Sequence, residues 1–334
     1  MVKRKTLLQN YQDLRSGLEK IYVVPEIPED NETDYLYLLY RPIIQEFAKH
    51  KIQVLNLSIS EYPRIVLAKI RGEKSIYHHH WYHLNELRNF FYFIWRTFWI
   101  LIFRLVGGKI VWTVHNIAPH HGKYRLYNKI SRRFLALIAS KLHVHCDSAV
   151  DLMAKKLGVR KKKFFIVELP HYPSYEMSKE AALKELNEKY VNNSIEKNDL
   201  VFLSFGLIGK YKRIKETVEI FTQLEERKKL IIAGKVRNVE QEYLEEIKEL
   251  VKDSTNIFLI NQAIPNEEIP ILFNSVDYLI LNYKQVLTSA VLKLGLSYGR
   301  HVIAVDQGCI SEEKDDKIIK FKDEFQLKEI ITSL

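Results

Sequence analysis

The chain has 334 residues, 47% of them apolar, with twelve glycines and a formal net charge of +10. That length exceeds one ordinary core and suits two domains of about 150 residues each. The composition excludes disorder, collagen-like repeats and low complexity.

The opening stretch, MVKRKTLLQNYQDLRSG, holds no apolar signal core, so secretion is not expected. In the first half, short apolar runs at 21–24, 53–57, 75–78, 110–114, 142–144 and 164–167 read as strands. Helical patterns fill 33–49, 84–105, 124–140 and 147–157. From 123 to 163 twelve Lys or Arg stand against two acids, Asp147 and Asp151, so this stretch alone carries the net charge of the whole chain. A basic face of this kind suits nucleic acid, an anionic lipid surface or a phosphorylated substrate, or is simply a solvated surface. Cys146 and Cys309 lie far apart with no pairing pattern. They fit a reducing cytoplasm and argue against a disulfide scaffold or a thiolate metal site.

Between about 168 and 199 the rhythm breaks, with Pro170, Pro173 and the polar helical piece EAALKELNEKY. The second half then alternates cleanly. Strands are expected at 200–205, 230–233, 257–260, 278–281 and 302–305, and helices near 214–227, 239–252, 266–275 and 289–298. Such alternation builds βαβ units and parallel sheets. The division expected is a first lobe at 1–175, a connection at 176–198, a second lobe at 199–320 and a C-terminal helix at 321–334 that returns to the first lobe or stays with the second. The fold class is therefore α/β, two Rossmann-like doubly wound lobes facing a cleft. Ligands of such sheets bind outside the carboxyl ends of the strands.

Three strand ends of the second half offer anion-binding features. Thr288 and Ser289 open an apolar helix with two hydroxyls, and a helix start of this kind either takes a phosphate or is merely capped by its own hydroxyl. In FGLIGKYKRIKETVEIF, 205–221, Gly206 and Gly209 precede Lys210, Lys212 and Arg213. Small residues let a phosphate reach the backbone, and lysine neutralises it. In IIAGKVRN another strand ends in Gly234-Lys235.

With these motifs the second half resembles the donor lobe of GT-B glycosyltransferases. Gly206 and Lys212 match an element that contacts the donor diphosphate in that family. The stretch LILNYKQVLTSAVLKLGLSYGRHVIAVDQG resembles a variant found in β-mannosyl-type transferases of bacterial exopolysaccharide assembly, and HHHWYH and WTVHNIAPHH of the first half are similar to stretches of the same enzymes. The resemblance implies a UDP- or GDP-linked hexose as donor, gripped by Gly206, Gly209, Lys212, Gly234, Lys235, Tyr283, Thr288, Ser289 and Ala290. The position of 262–265 after a strand end places the nucleotide base against it. Some features depart from the pattern. The Glu-x7-Glu pair of retaining members is missing, its region reading Gln285, Thr288, Ser289 and Lys293, which leans toward inversion. Ser289-Ala290 stands where Ser-Gly is usual, and Arg213 where glycine is common.

Inversion needs a general base for the acceptor hydroxyl, and a histidine near its ordinary pKa suits that work at neutral pH. The first lobe offers His115 at a strand end, His120 and His121 on the following loop, and Asp147 at a helix start. The resemblance makes His115 a donor-sugar or catalytic contact. His78, His79 and His80 are consecutive on a strand and alternate faces, so they cannot all ligate one ion. With no Asp-x-Asp in the chain, no metal is expected.

The stretch 87–109, LRNFFYFIWRTFWILIFRLVGGK, is the most hydrophobic and is broken by Arg96 and Arg104. Two arginines at the centre of a bilayer span cost several kcal/mol, so spanning is not expected. It is either a core helix or a helix lying in a membrane interface. The resulting expectation is an enzyme peripheral to the cytoplasmic face of the cell membrane, acting on a glycan or polyprenyl-diphosphate-linked acceptor, with no nucleic acid partner. A sugar-nucleotide epimerase on the same fold and a non-enzymatic nucleic-acid binder are the rival readings.

Overall fold

The computed structural model of the chain describes residues 4–82, 89–118, 124–192 and 194–334. The chain divides into two compact units, Met1–Pro170 and His171–Leu334.

The first unit is a six-stranded parallel sheet of β1 (Lys20–Val24), β2 (Gln53–Asn56), β3 (Ser75–His79), β4 (Lys109–Thr113), β5 (Lys141–Val144) and β6 (Phe164–Ile166). Its order is β2-β1-β3-β4-β5-β6, so the direction of winding reverses between β1 and β3. Strand β3 is buried along its whole length, as a parallel strand covered by helices on both faces must be. Leu7, Tyr11, Ile21, Leu36, Tyr40 and Phe47 pack with Ile76 and Val111 in the core. Leu7 and Tyr11 come from a helix the sequence pattern did not predict, Leu7–Leu14, which opens on a reciprocal cap between Thr6 and Gln9. The helix Tyr62–Ile70 was not predicted either. The helix expected over 33–49 is divided into Tyr35–Tyr40, a 3-10 turn at Arg41–Ile43 and Ile44–Lys49. Pro42 explains the division, since it lacks the amide that would continue the helix.

The second unit carries β7 (Leu200–Phe205), β8 (Lys228–Ala233), β9 (Ile257–Ile260), β10 (Tyr278–Leu281), β11 (His301–Val305) and β12 (Ile318–Phe321), again all parallel. The order β12-β11-β10-β7-β8-β9, numbered from the first strand of this unit and read from the β9 edge, is the 3-2-1-4-5-6 order of a dinucleotide-binding fold, with its switch point between β7 and β10. Helix Lys179–Leu186 runs on through Asn187–Val191 and packs against helix Ile269–Ser275. The last helix, Glu324–Ser333, lies within this unit, where Lys228 Nζ donates to the carbonyls of Ile331 and Thr332 at 3.0 and 2.7 Å. Neither cysteine is a free thiol, which corrects the expectation of reduced side chains.

Candidate functional site

In the second unit the expected residues converge at the switch point, though not all in the expected roles. Gly206 follows β7 with φ +89°, a conformation that costs glycine little and a side chain much. A Cβ placed there would lie 3.1 Å from Lys212 Nζ and 3.9 Å from Val291 Cγ2. Three elements thus meet at one point: the end of β7, the 3-10 turn Lys210–Lys212 and the start of helix Ala290–Ser297. Lys212 is only 7% exposed, and its ammonium donates to the carbonyl of Phe205. Burial pulls its pKa down to about 7, so the group gains or loses its proton at neutral pH. A bound diphosphate would favour the charged form.

The hydroxyl helix start resolves in favour of capping. Ser289, not Thr288, is the cap, and its Oγ accepts from the amide of Leu292 at 3.2 Å. It also shares a hydrogen bond with the Tyr283 hydroxyl at 3.1 Å. Both side chains are buried, so neither hydroxyl points outward, and burial pushes the Tyr283 phenol up to about 12. Tyr283 stacks flat against Tyr211 at 6.1 Å. Among the described residues the amides of Ala290 and Val291 take no partner, and Ala290 is exposed. The Ser289 hydroxyl is spent on the cap, and the backbone amides of Ala290 and Val291 are what remains for an anion.

Two other expected contacts have structural explanations. The Glu240 carboxylate accepts from the amide of Lys210 at 3.1 Å and packs on Gly209, where a phosphate would have to sit. Gly234 is a close-packing glycine, because a Cβ there would overlap the Gly206 carbonyl. The loops after β7 and β8 are zipped together, Gly206 N donating to Ala233 O at 2.8 Å and Ile208 N to Lys235 O at 3.1 Å. The Lys235 side chain is exposed, and so is most of 262–265 beyond β9.

In the first unit the carboxyl ends of β3, β4 and β5 gather a histidine cluster. Strand alternation sends His78 and His80 to one side, ring centroids 4.2 Å apart, while His79 stacks on Tyr77 on the other. A chain of hydrogen bonds fixes the tautomers. His143 Nε2 donates to Val167 O at 3.0 Å, so its Nδ1 must accept from Thr113, 2.9 Å away. Thr113 then accepts from His78 Nε2 at 2.8 Å, and His78 Nδ1 accepts from a tyrosine hydroxyl, with Tyr40 at 2.6 Å and Tyr11 also in contact. Burial holds His78 down to about 3 and His145 to about 4, and His80 and His143 also lie well below the ordinary imidazole range. These four are neutral at neutral pH. His143, His145, Tyr11, Tyr35, Tyr40 and Thr113 were not singled out from sequence. The period-two pair in KLHVHCD was the signal available for His143 and His145.

His115 is the half-buried member of this cluster. Its ring stacks on Trp81 at 4.7 Å and meets the edge of Tyr35 at 4.7 Å, with His80 and His145 at 5.7 and 5.5 Å. Asp147 is elsewhere in character, exposed in the first turn of helix Asp147–Leu157 and paired with Arg4 at 2.6 Å. His120 and His121 lie outside the described residues. Among the described residues no set of three His, Cys, Asp or Glu side chains is arranged to hold a metal ion. A cavity of about 580 Å³ in the second unit, lined by Ser174, Tyr175, Asn274, Tyr298 and Arg300, sits at the amino ends of β10 and β11, away from the switch point.

The fold is that of the GT-B glycosyltransferases, two Rossmann-like parallel-sheet units in one chain. Solved structures carry that statement. HepE of Anabaena in complex with UDP is similar with a TM-score of 0.64 at 12% identity, over 95% of this chain and 89% of that one. The same protein has been solved with UDP-glucose. A glycosyltransferase of Rickettsia africae gives 0.60 at 13% identity, over 94% and 88% of the two chains. The catalytic domain of starch synthase IV of Arabidopsis thaliana, bound to ADP and acarbose, gives 0.62 at 12% identity, over 95% and 92%. No protein-family model and no curated protein matches the chain.

Proposed function

We propose that this protein is a glycosyltransferase that moves a hexose from a nucleotide diphosphate sugar to a glycan acceptor. One observation carries the reading: Gly206, the Lys212 ammonium and the open amides of Ala290 and Val291 meet at the β7/β10 switch point. That is where a doubly wound sheet binds a nucleotide. The β- and α-phosphates would take the lysine proton charge and the helix amides, and the diphosphate is the leaving group. UDP is the favoured carrier, since HepE of Anabaena binds UDP and UDP-glucose. The acceptor hydroxyl attacks the anomeric carbon, its proton passes to a base, and the bond to the diphosphate oxygen breaks. The base is assigned to the first unit, with His115 the foremost candidate because it alone in the cluster is half-open.

Inversion is favoured by Lys293, which stands where a retaining enzyme places its second glutamate and is paired with Glu313 at 2.6 Å. A lipid-linked glycan acceptor in surface-polysaccharide assembly, of β-mannosyl type, completes the reading; the assembly and type rest on the sequence resemblance, the lipid link on the hydrophobic stretch 87–109 and the basic segment 123–163. A thermal-shift screen of UDP, GDP and their sugars tests it. Ligand at a hundredfold excess over its Kd should stabilise by about 2.7 kcal/mol, and Lys212→Ala should remove most of the shift. An undiminished shift in the variant refutes the role of Lys212. Product analysis then separates transfer to an acceptor from epimer exchange.

A further inference from the structure

The hydrophobic helix Phe90–Leu105 is two-faced in a way its sequence conceals. Phe93, Arg96, Ile100 and Phe103 are buried. Phe91, Ile94, Trp95, Phe98 and Leu105 are exposed, Phe91 at 83% and Phe98 at 50%. At 100° per residue these two sets lie on opposite sides of the helix. Both arginines that interrupt the stretch turn inward. Arg96 lies 5.0 Å over the rings of Tyr82 and Phe93, and Arg104 Nε donates to the carbonyl of Ile138 at 3.0 Å. The outward face is therefore uniformly apolar.

Neighbouring helices extend it. Helix Arg125–Ile138 runs alongside, with Tyr127 against Phe90 and Phe93 at one end and Ile138 against Arg104 at the other. It exposes Leu126, Ile130 and Leu137, again along one side. Helix Tyr62–Ile70, which packs on Phe90–Leu105, exposes Leu67 and Ile70. A soluble monomer seldom leaves this many large apolar side chains on adjoining helices in water.

Charge identifies what covers the face. Burial first, and then repulsion from Arg132, Arg125 and Lys129, hold the Lys156 ammonium below its ordinary range, so these four cations lie close together. Among the described residues no carboxylate pairs with Arg125, Lys129 or Lys156. The two acids of the basic segment are already taken, Asp147 by Arg4 and Asp151 by Lys161 at 2.6 Å each. Like charges gathered without carboxylate partners favour an anionic surface, and an apolar face beside them favours one with a dry interior.

We propose that helices Phe90–Leu105 and Arg125–Ile138 form a docking face for a bilayer containing anionic lipid, the apolar residues entering the acyl boundary and the Arg125–Lys129–Lys156 cluster meeting phosphate headgroups. The assignment does not depend on the transfer reaction. Full-length protein would be floated with vesicles of phosphatidylcholine alone or with about a third phosphatidylglycerol, and at least about tenfold stronger binding to the anionic vesicles is expected, weakening with salt. Phe91→Asp with Phe98→Asp should abolish flotation, and Phe91→Ser with Phe98→Ser should weaken it should the aspartates disturb folding. Lys129→Glu with Lys156→Glu should reduce anionic binding to the neutral level. Absence of flotation, equal binding to both vesicles, or unchanged binding by the phenylalanine variants overturns the proposal. So does a dimer in sedimentation velocity that those variants dissolve, since a second copy would then be the occupant. The UDP thermal shift of the same samples keeps the outcomes separate: its loss counts against the donor site and not against docking.

Discussion

Acidification puts the buried histidines of the first unit to a quantitative test. Burial holds His78 down to about 3 and His145 to about 4, against 6.5 for a free imidazole. His80 and His143 move the same way, through burial first and neighbouring imidazoles second. Between the unfolded and folded values the unfolded chain binds protons that the folded unit refuses. The stability these groups lend is therefore complete above the unfolded value and is lost as the pH falls toward the folded ones. Each pH unit below the unfolded value costs about 1.4 kcal/mol per histidine, so at about pH 5 His78 and His145 together cost about 4 kcal/mol. A typical domain has only about 5–15 kcal/mol in all. The four tryptophans, Trp81, Trp95, Trp99 and Trp112, all belong to the first unit, so urea unfolding followed by tryptophan fluorescence reports on it alone. The window lies above the range in which most carboxylates titrate, which isolates the imidazoles. An unfolding free energy at about pH 5 within about 1 kcal/mol of the neutral value would show that these histidines are not held neutral by the fold.

Three predictions concern the switch point. Gly234→Ala forces a Cβ onto the Gly206 carbonyl and should cost on the order of 3 kcal/mol in chemical denaturation of the second unit. A loss under about 1 kcal/mol would mean the loops after β7 and β8 part easily. Lys212, with its pKa near 7, should make UDP affinity fall as the pH rises from about 6 to about 8, because only the ammonium attracts the diphosphate. Isothermal titration across that range measures it, and Lys212→Arg should flatten the dependence. Lys212→Met should abolish the UDP response while raising stability by roughly 2 kcal/mol, since a buried amine is replaced by an apolar chain of similar length at the expense of one hydrogen bond. A destabilised Lys212→Met would contradict the burial argument.

The alternation of apolar runs and amphipathic stretches was enough to place eleven of the strands, because most of them are buried parallel strands with apolar centres. Strand β12 escaped: IIKF sits at the sheet edge, half-buried, and its lysine reaches out to the carbonyls of Ser311 and Glu313. Helix Leu7–Leu14 was hidden because its stabilisation is a cap of two side chains and three buried residues, too little for a periodic signal. At the site, the glycines were legible as glycines but not by function. Gly206 faces the Lys212 ammonium, Gly234 is packed against backbone, and Gly209 is packed against Glu240. Only the partner atom across space distinguishes them. The histidine network was illegible for the same reason, since Tyr11, Tyr40, His78, Thr113 and His143 come from five separate elements.

The departures from the family pattern make local physical sense. Arg213 stands where glycine is common, and its φ of +51° lies in the left-handed region that explains the usual glycine. The strain is offset by its guanidinium, which pairs with Glu216 at 3.3 Å and with Glu324 at the start of the last helix. Its carbonyl also accepts from Thr217 at 3.1 Å, at the start of the helix Ile214–Phe221 that follows the Lys210–Lys212 turn. The missing glutamate is handled similarly. Lys293 reverses the charge at that position, and Glu313 on the turn after β11 closes over it. The Glu313 carboxylate is thereby committed to an ion pair with Lys293. The backbone around the switch point thus keeps its course through compensating contacts, with residue identity free to vary where a neighbour can absorb the change.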